Sequence, residues 1–230
     1  MLVIGSIFFT ANIILWITSW KYNKYILSQI HENLYTLLDK SIRVFEDTGI
    51  FYFATGGTLL GAYREQKLIS HDDDIDIGIM SEDFLKIIAT NKFKQLMKEH
   101  GLILIMSGNK LAHRIYFESS PYNVFIDIFE YVLENEQKNV LLDNRQRTKW
   151  PNDFYYTYEL YPLKMYHFGK LMISCPNEPR PYLNRIYGKW WIPCYTHNHI
   201  EQIIKVWNWY DYILINYYHY ICIPIIELFY

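Results

Sequence analysis

Between residues 70 and 79 the chain reads Ser70-His71-Asp72-Asp73-Asp74-Ile75-Asp76-Ile77-Gly78-Ile79. Alternation of apolar and polar residues is the signature of a β-strand with one buried face, because successive side chains point to opposite sides. Ile75, Ile77 and Ile79 then anchor one face in a core, and Asp72, Asp74 and Asp76 share the other. Carboxylates on alternate positions lie ~7 Å apart, two strand rises. Like charges that close repel unless a cation sits among them, and hard oxygen ligands of this kind suit Mg²⁺ or Mn²⁺. A solvated acidic turn is the plain alternative, but turns rarely continue into such alternation.

A third carboxylate stands in Val124-Phe125-Ile126-Asp127-Ile128-Phe129, where Asp127 is the one charge in an apolar strand. Burying a lone carboxylate costs several kcal/mol unless it is paired or metal-bound, so Asp127 either completes the acidic cluster or forms a salt bridge with an arginine. Upstream, Gly56-Gly57-Thr58 separates a short apolar strand, residues 50–54, from a short helix beginning near Leu59. Glycines at a strand-to-helix junction let a phosphate approach main-chain N–H groups, and Arg64 and Lys67 are available to neutralise its charge. Neither GxxxxGK[ST] nor GxGxxG occurs. Asp72, Asp74 and Asp76 match positions of a calcium-binding EF-hand loop, but Ile77 stands where that loop needs Gly and Asp83 where it needs Glu.

The 230 residues suit one domain with a short accessory piece. A formal net charge of −2 gives no basic footprint, which argues against nucleic acid as a partner. Residues 1–20 carry no charge and are followed by Lys21 and Lys24, with Trp16 and Trp20 where an interfacial belt would sit. This pattern predicts a single-pass membrane anchor, and the two lysines place the main domain on the cytoplasmic side. The expected organisation is an anchor over 1–20, a catalytic domain over 21–200 and an aromatic C-terminal helix and tail over 201–230. Within it, spacing predicts a long amphipathic helix ended by Gly49 and a strand over Ile75 to Met80. A helix capped by Ser81 follows, then strands over 102–106, 111–117 and 123–132, and a polar loop over 135–153. A hairpin turning at Gly169 and a last helix near 181–187 complete the reading. Three cysteines are too few for a disulfide framework; Cys194, His197 and His199 lie close together but not in a standard zinc spacing.

The stretch Gly56 to Glu65, continued by Lys67-Leu68-Ile69-Ser70-His71-Asp72-Asp73-Asp74-Ile75-Asp76-Ile77-Gly78, resembles the central motif of the LicD family, which includes fukutin and the fukutin-related protein. Phe125 to Phe129 resembles its second acidic strand. Leu160-Tyr161-Pro162-Leu163-Lys164 and Tyr182 to Trp190 resemble its C-terminal signatures. The resemblance implies an α+β, nucleotidyltransferase-like fold: a mixed central sheet flanked by helices, here with an added N-terminal hydrophobic helix. It implies metal held by Asp74, Asp76 and Asp127, with Asp72 a further candidate, and donor contacts from Gly56, Gly57, Thr58, Arg64 and Lys67. The implied reaction moves a phosphorylated alcohol, such as phosphocholine or ribitol phosphate, from a CDP-linked donor to a glycan. Anchored eukaryotic members work in the Golgi lumen, against the side that the lysines favour, so the side of the membrane stays open. The chain departs from the family pattern at Gln66, commonly Gly, at His71, commonly Trp, and at Glu130, often Pro. Two other functions stay open: an Asp-x-Asp glycosyltransferase using a nucleotide sugar, and a catalytically silent membrane-anchored binding protein.

Overall fold

The computed structural model of the chain describes residues 28–70, 72–106, 112–119 and 124–192, all within one compact unit that runs to Ile192. Helix α1 (28–48) buries Leu34, Leu37, Leu38, Val44 and Phe45, the stripe that its helical spacing predicts. Gly49 ends it at a φ of 76°, a left-handed conformation that glycine adopts without steric cost. In chain order there follow β1 (Tyr52–Ala54), α2 (Gly56–Arg64), β2 (Ile75–Met80), α3 (Ser81–Ile88), α4 (Asn91–Glu99), β3 (Leu102–Ile105), β4 (His113–Phe117) and β5 (Ile126–Asn135). Then come β6 (Lys138–Leu141), α5 (Asn144–Lys149), β7 (Phe154–Tyr156), α6 (Thr157–Leu160), β8 (Lys164–Phe168), β9 (Leu171–Cys175) and α7 (Pro179–Tyr187).

Seven strands form one mixed sheet in the order β1-β2-β5-β4-β3, with β6 and β7 continuing from the far half of β5; β8 and β9 form a separate hairpin. Only the β2–β5 pair is parallel. This is the expected α+β architecture with a mixed central sheet. Its isoleucine face is core: Ile75, Ile77, Ile126 and Ile128 are buried, and α3 covers them. On the other face, Gly78 pairs with Phe53, whose ring occupies the space that a Cβ there would need.

The polar stretch 135–153, expected as a loop, instead contains β6 and α5. A four-residue strand is too short to show alternation, and β6 is held by β5 and β7 on its two sides. Ser81 is the first helical residue rather than the cap of α3, because its hydroxyl donates to Glu130 Oε2 at 2.5 Å. The expected single-pass membrane placement is corrected. Among the described residues no helix is long and apolar enough to cross a membrane. The hydrophobic helix expected over 1–20, the tail over 201–230 and the cluster of Cys194, His197 and His199 lie outside the described residues.

Candidate functional site: a carboxylate cluster at the centre of the sheet

Parallel pairing places Asp76 of β2 directly opposite Asp127 of β5, and antiparallel pairing places Arg114 of β4 opposite Asp127. Three charged residues therefore lie in one row on one face of the sheet. The loop entering β2 adds Asp74. One oxygen each from Asp74, Asp76 and Asp127 lies within 4.8 Å of the others, a spacing able to hold a metal ion. A second such group is Asp72, Asp73 and Asp74. Asp73 is in this second group and not in the first. β2 begins at Ile75, so residues 72–74 precede the strand and its alternation does not govern them.

The Gly56-Gly57-Thr58 junction is built against these acids. Gly57 N–H donates to Asp76 Oδ2 at 3.1 Å, Thr58 Oγ1 accepts from the Asp76 main-chain N–H at 2.8 Å, and Thr55 N–H donates to the Asp76 carbonyl at 3.2 Å. A Cβ on Gly56 would sit 2.5 Å from Asp76 Oδ2, and one on Gly57 2.8 Å from Asp72 Oδ2. Side chains are excluded here because carboxylates pack directly onto the main chain. The start of α2 gives Asp76 both an N–H donor and the positive end of a helix.

That help is not enough to offset burial and crowding. Burial first, then the charges of Asp74, Asp72 and Asp127, push the Asp76 carboxyl well above its ordinary pKa. Burial followed by Asp74, Asp73 and Glu65 raises Asp72 to about 8. Neighbouring carboxylates that penalise one another's ionisation make a set whose charge a divalent cation would complement, and all donors are hard oxygens, the preference of Mg²⁺ and Mn²⁺. The residues therefore fit such an ion.

Asp127 resolves the two readings of its sequence context by meeting both. It belongs to the carboxylate group and also takes two hydrogen bonds from Arg114, at 2.6 Å from Nε to Oδ1 and 3.3 Å from Nη2 to Oδ2. The guanidinium stacks 3.9 Å from the centre of the Phe125 ring. Arg64 is taken up elsewhere, by Glu65 Oε1 at 2.6 Å and the Trp190 carbonyl at 2.9 Å, whereas the Lys67 side chain is exposed.

Behind Gly56 lies a buried hydroxyl cluster that the sequence reading missed. Thr55 Oγ1 is within 3.2, 2.9 and 3.1 Å of the hydroxyls of Tyr131, Tyr155 and Tyr182. Tyr131 and Tyr182 both donate to Asp153 Oδ1, at 2.7 and 3.2 Å. With 22 tyrosines in the chain, composition offers no signal for these three, and Asp153 falls in the stretch read as loop. Burial, then the charges of Asp76, Asp72, Asp153 and Asp74, drive the Tyr187 hydroxyl well above its ordinary pKa, although the residue as a whole is exposed.

The profile of the family described as LicD/FKTN/FKRP, nucleotidyltransferase domain, matches residues 49–178, a span that contains every carboxylate of the cluster. An uncharacterized protein of Rickettsia typhi is 37% identical over 164 residues, covering 69% of this chain and 46% of the relative. A second uncharacterized protein, from Rickettsia prowazekii, is 34% identical over 162 residues, covering 69% and 55%. The Ribitol-5-phosphate transferase FKTN of Mus musculus is 26% identical over 175 residues, covering 75% of this chain and 34% of the relative. The chain thus spans about half the length of the first two relatives and about a third of the last. Among solved structures, ANT(2″)-Ia in complex with adenylyl-2″-tobramycin superposes with a TM-score of 0.41 at 12% identity, over 65% of this chain and 69% of that one, too loose a likeness to carry an argument. With more than half of its residues inside the matched profile, the chain belongs to the LicD/FKTN/FKRP nucleotidyltransferase-domain family.

Proposed function

We propose that the chain is a metal-dependent transferase that moves a phosphorylated alcohol, of the phosphocholine or ribitol-phosphate kind, from a CDP-linked donor to a glycan acceptor. The observation that carries the reading is the convergence of Asp74, Asp76 and Asp127 within 4.8 Å in a chain of this family. The relatives named as ribitol-phosphate transferases supply the reaction class. The catalytic domain is taken as residues 21–200.

In this reaction an acceptor hydroxyl attacks the phosphorus that bears the alcohol, the bond from that phosphorus to the CMP oxygen breaks, and CMP leaves with the electron pair. Charge neutralisation and positioning account for most of such catalysis. Asp74, Asp76 and Asp127 would hold Mg²⁺ or Mn²⁺, with Asp72 as a further ligand; the ion supplies positive charge to the donor diphosphate. Arg114 binds both oxygens of Asp127 and fixes its orientation. So held, Asp127 would either ligate the ion or take the proton of the attacking hydroxyl. Gly56, Gly57 and Thr58 shape the donor site through their hold on Asp76; Lys67 is the exposed cation proposed beside it, whereas Arg64 would first have to leave Glu65 and the Trp190 carbonyl.

The test is a donor screen with the full chain: CDP-choline, CDP-ribitol, CDP-glycerol and nucleotide sugars, each with Mg²⁺, with Mn²⁺ and with EDTA. The expected result is CMP release from a CDP-alcohol, abolished by EDTA and by Asp76→Asn. Turnover of nucleotide sugars alone would move the assignment to a glycosyltransferase. A complete lack of metal-dependent nucleotide binding would leave a binding protein.

A further inference from the structure

Asp153 lies outside the carboxylate cluster, yet hydrogen bonds on either side of the Gly56–Gly57 peptide link join them. Its Oδ1 accepts from the Tyr182 hydroxyl at 3.2 Å, and that hydroxyl accepts from Gly56 N–H at 3.3 Å. The next residue, Gly57, donates its N–H to Asp76 Oδ2. Tyr131, the second donor to Asp153, stands on β5 four residues beyond Asp127 and on the same face. The Gly56–Gly57 turn tolerates little displacement, since a Cβ on either residue would strike a carboxylate of the cluster. We propose that Asp153 is a positioning residue of the metal site, acting through the Tyr182 hydroxyl to seat the Gly56–Gly57 turn against Asp76.

The surroundings of Asp153 suit that role. Tyr131 and Tyr182 are fully buried, and Tyr155 stacks on Tyr182 with ring centres 4.2 Å apart. A buried hydroxyl has few places to turn, so an acceptor that fixes two of them fixes their other partners as well. The charge of Arg185 of α7 acts on Asp153, and its guanidinium is engaged by both oxygens of Glu159 at 2.8 and 2.6 Å. Burial raises the Asp153 carboxyl to about 6, against the hydrogen bonds from Tyr131 and Tyr182 and the charge of Arg185. The neutral form is therefore within easy reach, and asparagine, which keeps the Oδ1 acceptor, is a faithful substitute.

The proposal rests on the cluster being a metal site, so its test carries a second readout that does not. Mn²⁺ binding to the full chain is followed by EPR for wild type, Asp153→Asn, Asp153→Ala and Tyr182→Phe. In parallel the Gly56 and Gly57 amide cross-peaks are recorded without metal. Loss of an outer partner that orients a ligand typically weakens a metal by about tenfold to a hundredfold, and that is expected for Asp153→Ala and Tyr182→Phe, with Asp153→Asn within about twofold of wild type. The two glycine amides should shift in the same two variants. Tyr182→Phe keeps the decision open if Asp153→Ala does not fold. Wild-type affinity and unshifted glycine amides in Tyr182→Phe, with a lowered melting temperature, would make the network merely structural and overturn the proposal. Absence of Mn²⁺ binding in wild type would overturn the metal reading instead, and the amide shifts would still decide whether Asp153 seats the turn.

Discussion

Asp72→Asn should stabilise the metal-free protein, and more so as pH rises. Asp72 is buried, and its carboxyl is raised from 3.8 to about 8 by burial and by Asp74, Asp73 and Glu65. Between those values the folded state holds a proton that the unfolded state has lost. Stability contributed by this group is therefore complete below about pH 4 and is lost as pH climbs toward 8. Each pH unit in that window removes ~1.4 kcal/mol, so the four-unit shift sets an upper bound of ~6 kcal/mol. Electrostatic terms in a crowded site relax, and about 2–3 kcal/mol is the expected observable at pH 8. Denaturant unfolding of wild type and Asp72→Asn in EDTA would measure it. The two should nearly coincide at low pH and diverge, with the variant the more stable, as pH rises. Adding Mn²⁺ should close the gap by stabilising the wild type, because the ion relieves the same repulsion. A stability difference that stays constant across pH would refute the reasoning, and so would one favouring the wild type in EDTA.

Ile77→Asp places a charge at a position with no exposure and should destabilise by ~3 kcal/mol or more, whereas Asp74→Asn should leave the melting temperature unchanged or higher; equal losses would contradict the two-faced strand. Gln66 adopts a φ of 57°, so Gln66→Gly should add about 0.5–1 kcal/mol in denaturant unfolding. Asp74→Ala combined with Asp127→Ala should lower Mn²⁺ affinity little beyond either single change, as calorimetric titration would show, because the two act on one ion.

Legibility in the sequence tracked how local the cause of each feature is. β2 was readable to the residue because one face is isoleucine and the other is not, a contrast that needs no partner. The same reading overran its domain at residues 72–74. It extended strand alternation into the preceding loop, where Asp72, Asp73 and Asp74 form a group of their own. β6 was missed because it owes its form to β5 and β7 on either side. Gln66 is the opposite case. Its backbone stands in the left-handed conformation, φ 57°, that a glycine adopts without steric cost, a cause that no side-chain pattern signals. Thr55, Tyr131, Tyr155, Tyr182 and Asp153 come from well-separated parts of the chain, and no local pattern announces their meeting.

Glu130 and Asp127 show how one strand serves two different electrostatic problems. Asp127 and Glu130 are an odd number of positions apart on β5, so their side chains point to opposite faces of the sheet. On the carboxylate face, Asp127 meets other acids and has Arg114 as its fixed counter-charge, leaving the cluster with net negative charge for a cation to complement. On the core face stands Glu130. It takes His113 Nε2 at 2.6 Å and the Ser81 hydroxyl, and although burial works against its charge, these bonds bring its pKa below the ordinary value. His113 and Arg114 are adjacent on β4, so one dipeptide supplies the partner on each face. The core-face acid is therefore held by a histidine and a hydroxyl, whereas the acids on the other face stand among one another. That grouping of carboxylates, rather than the number of acids in the sequence, is what makes the Asp74, Asp76 and Asp127 face able to hold a metal ion.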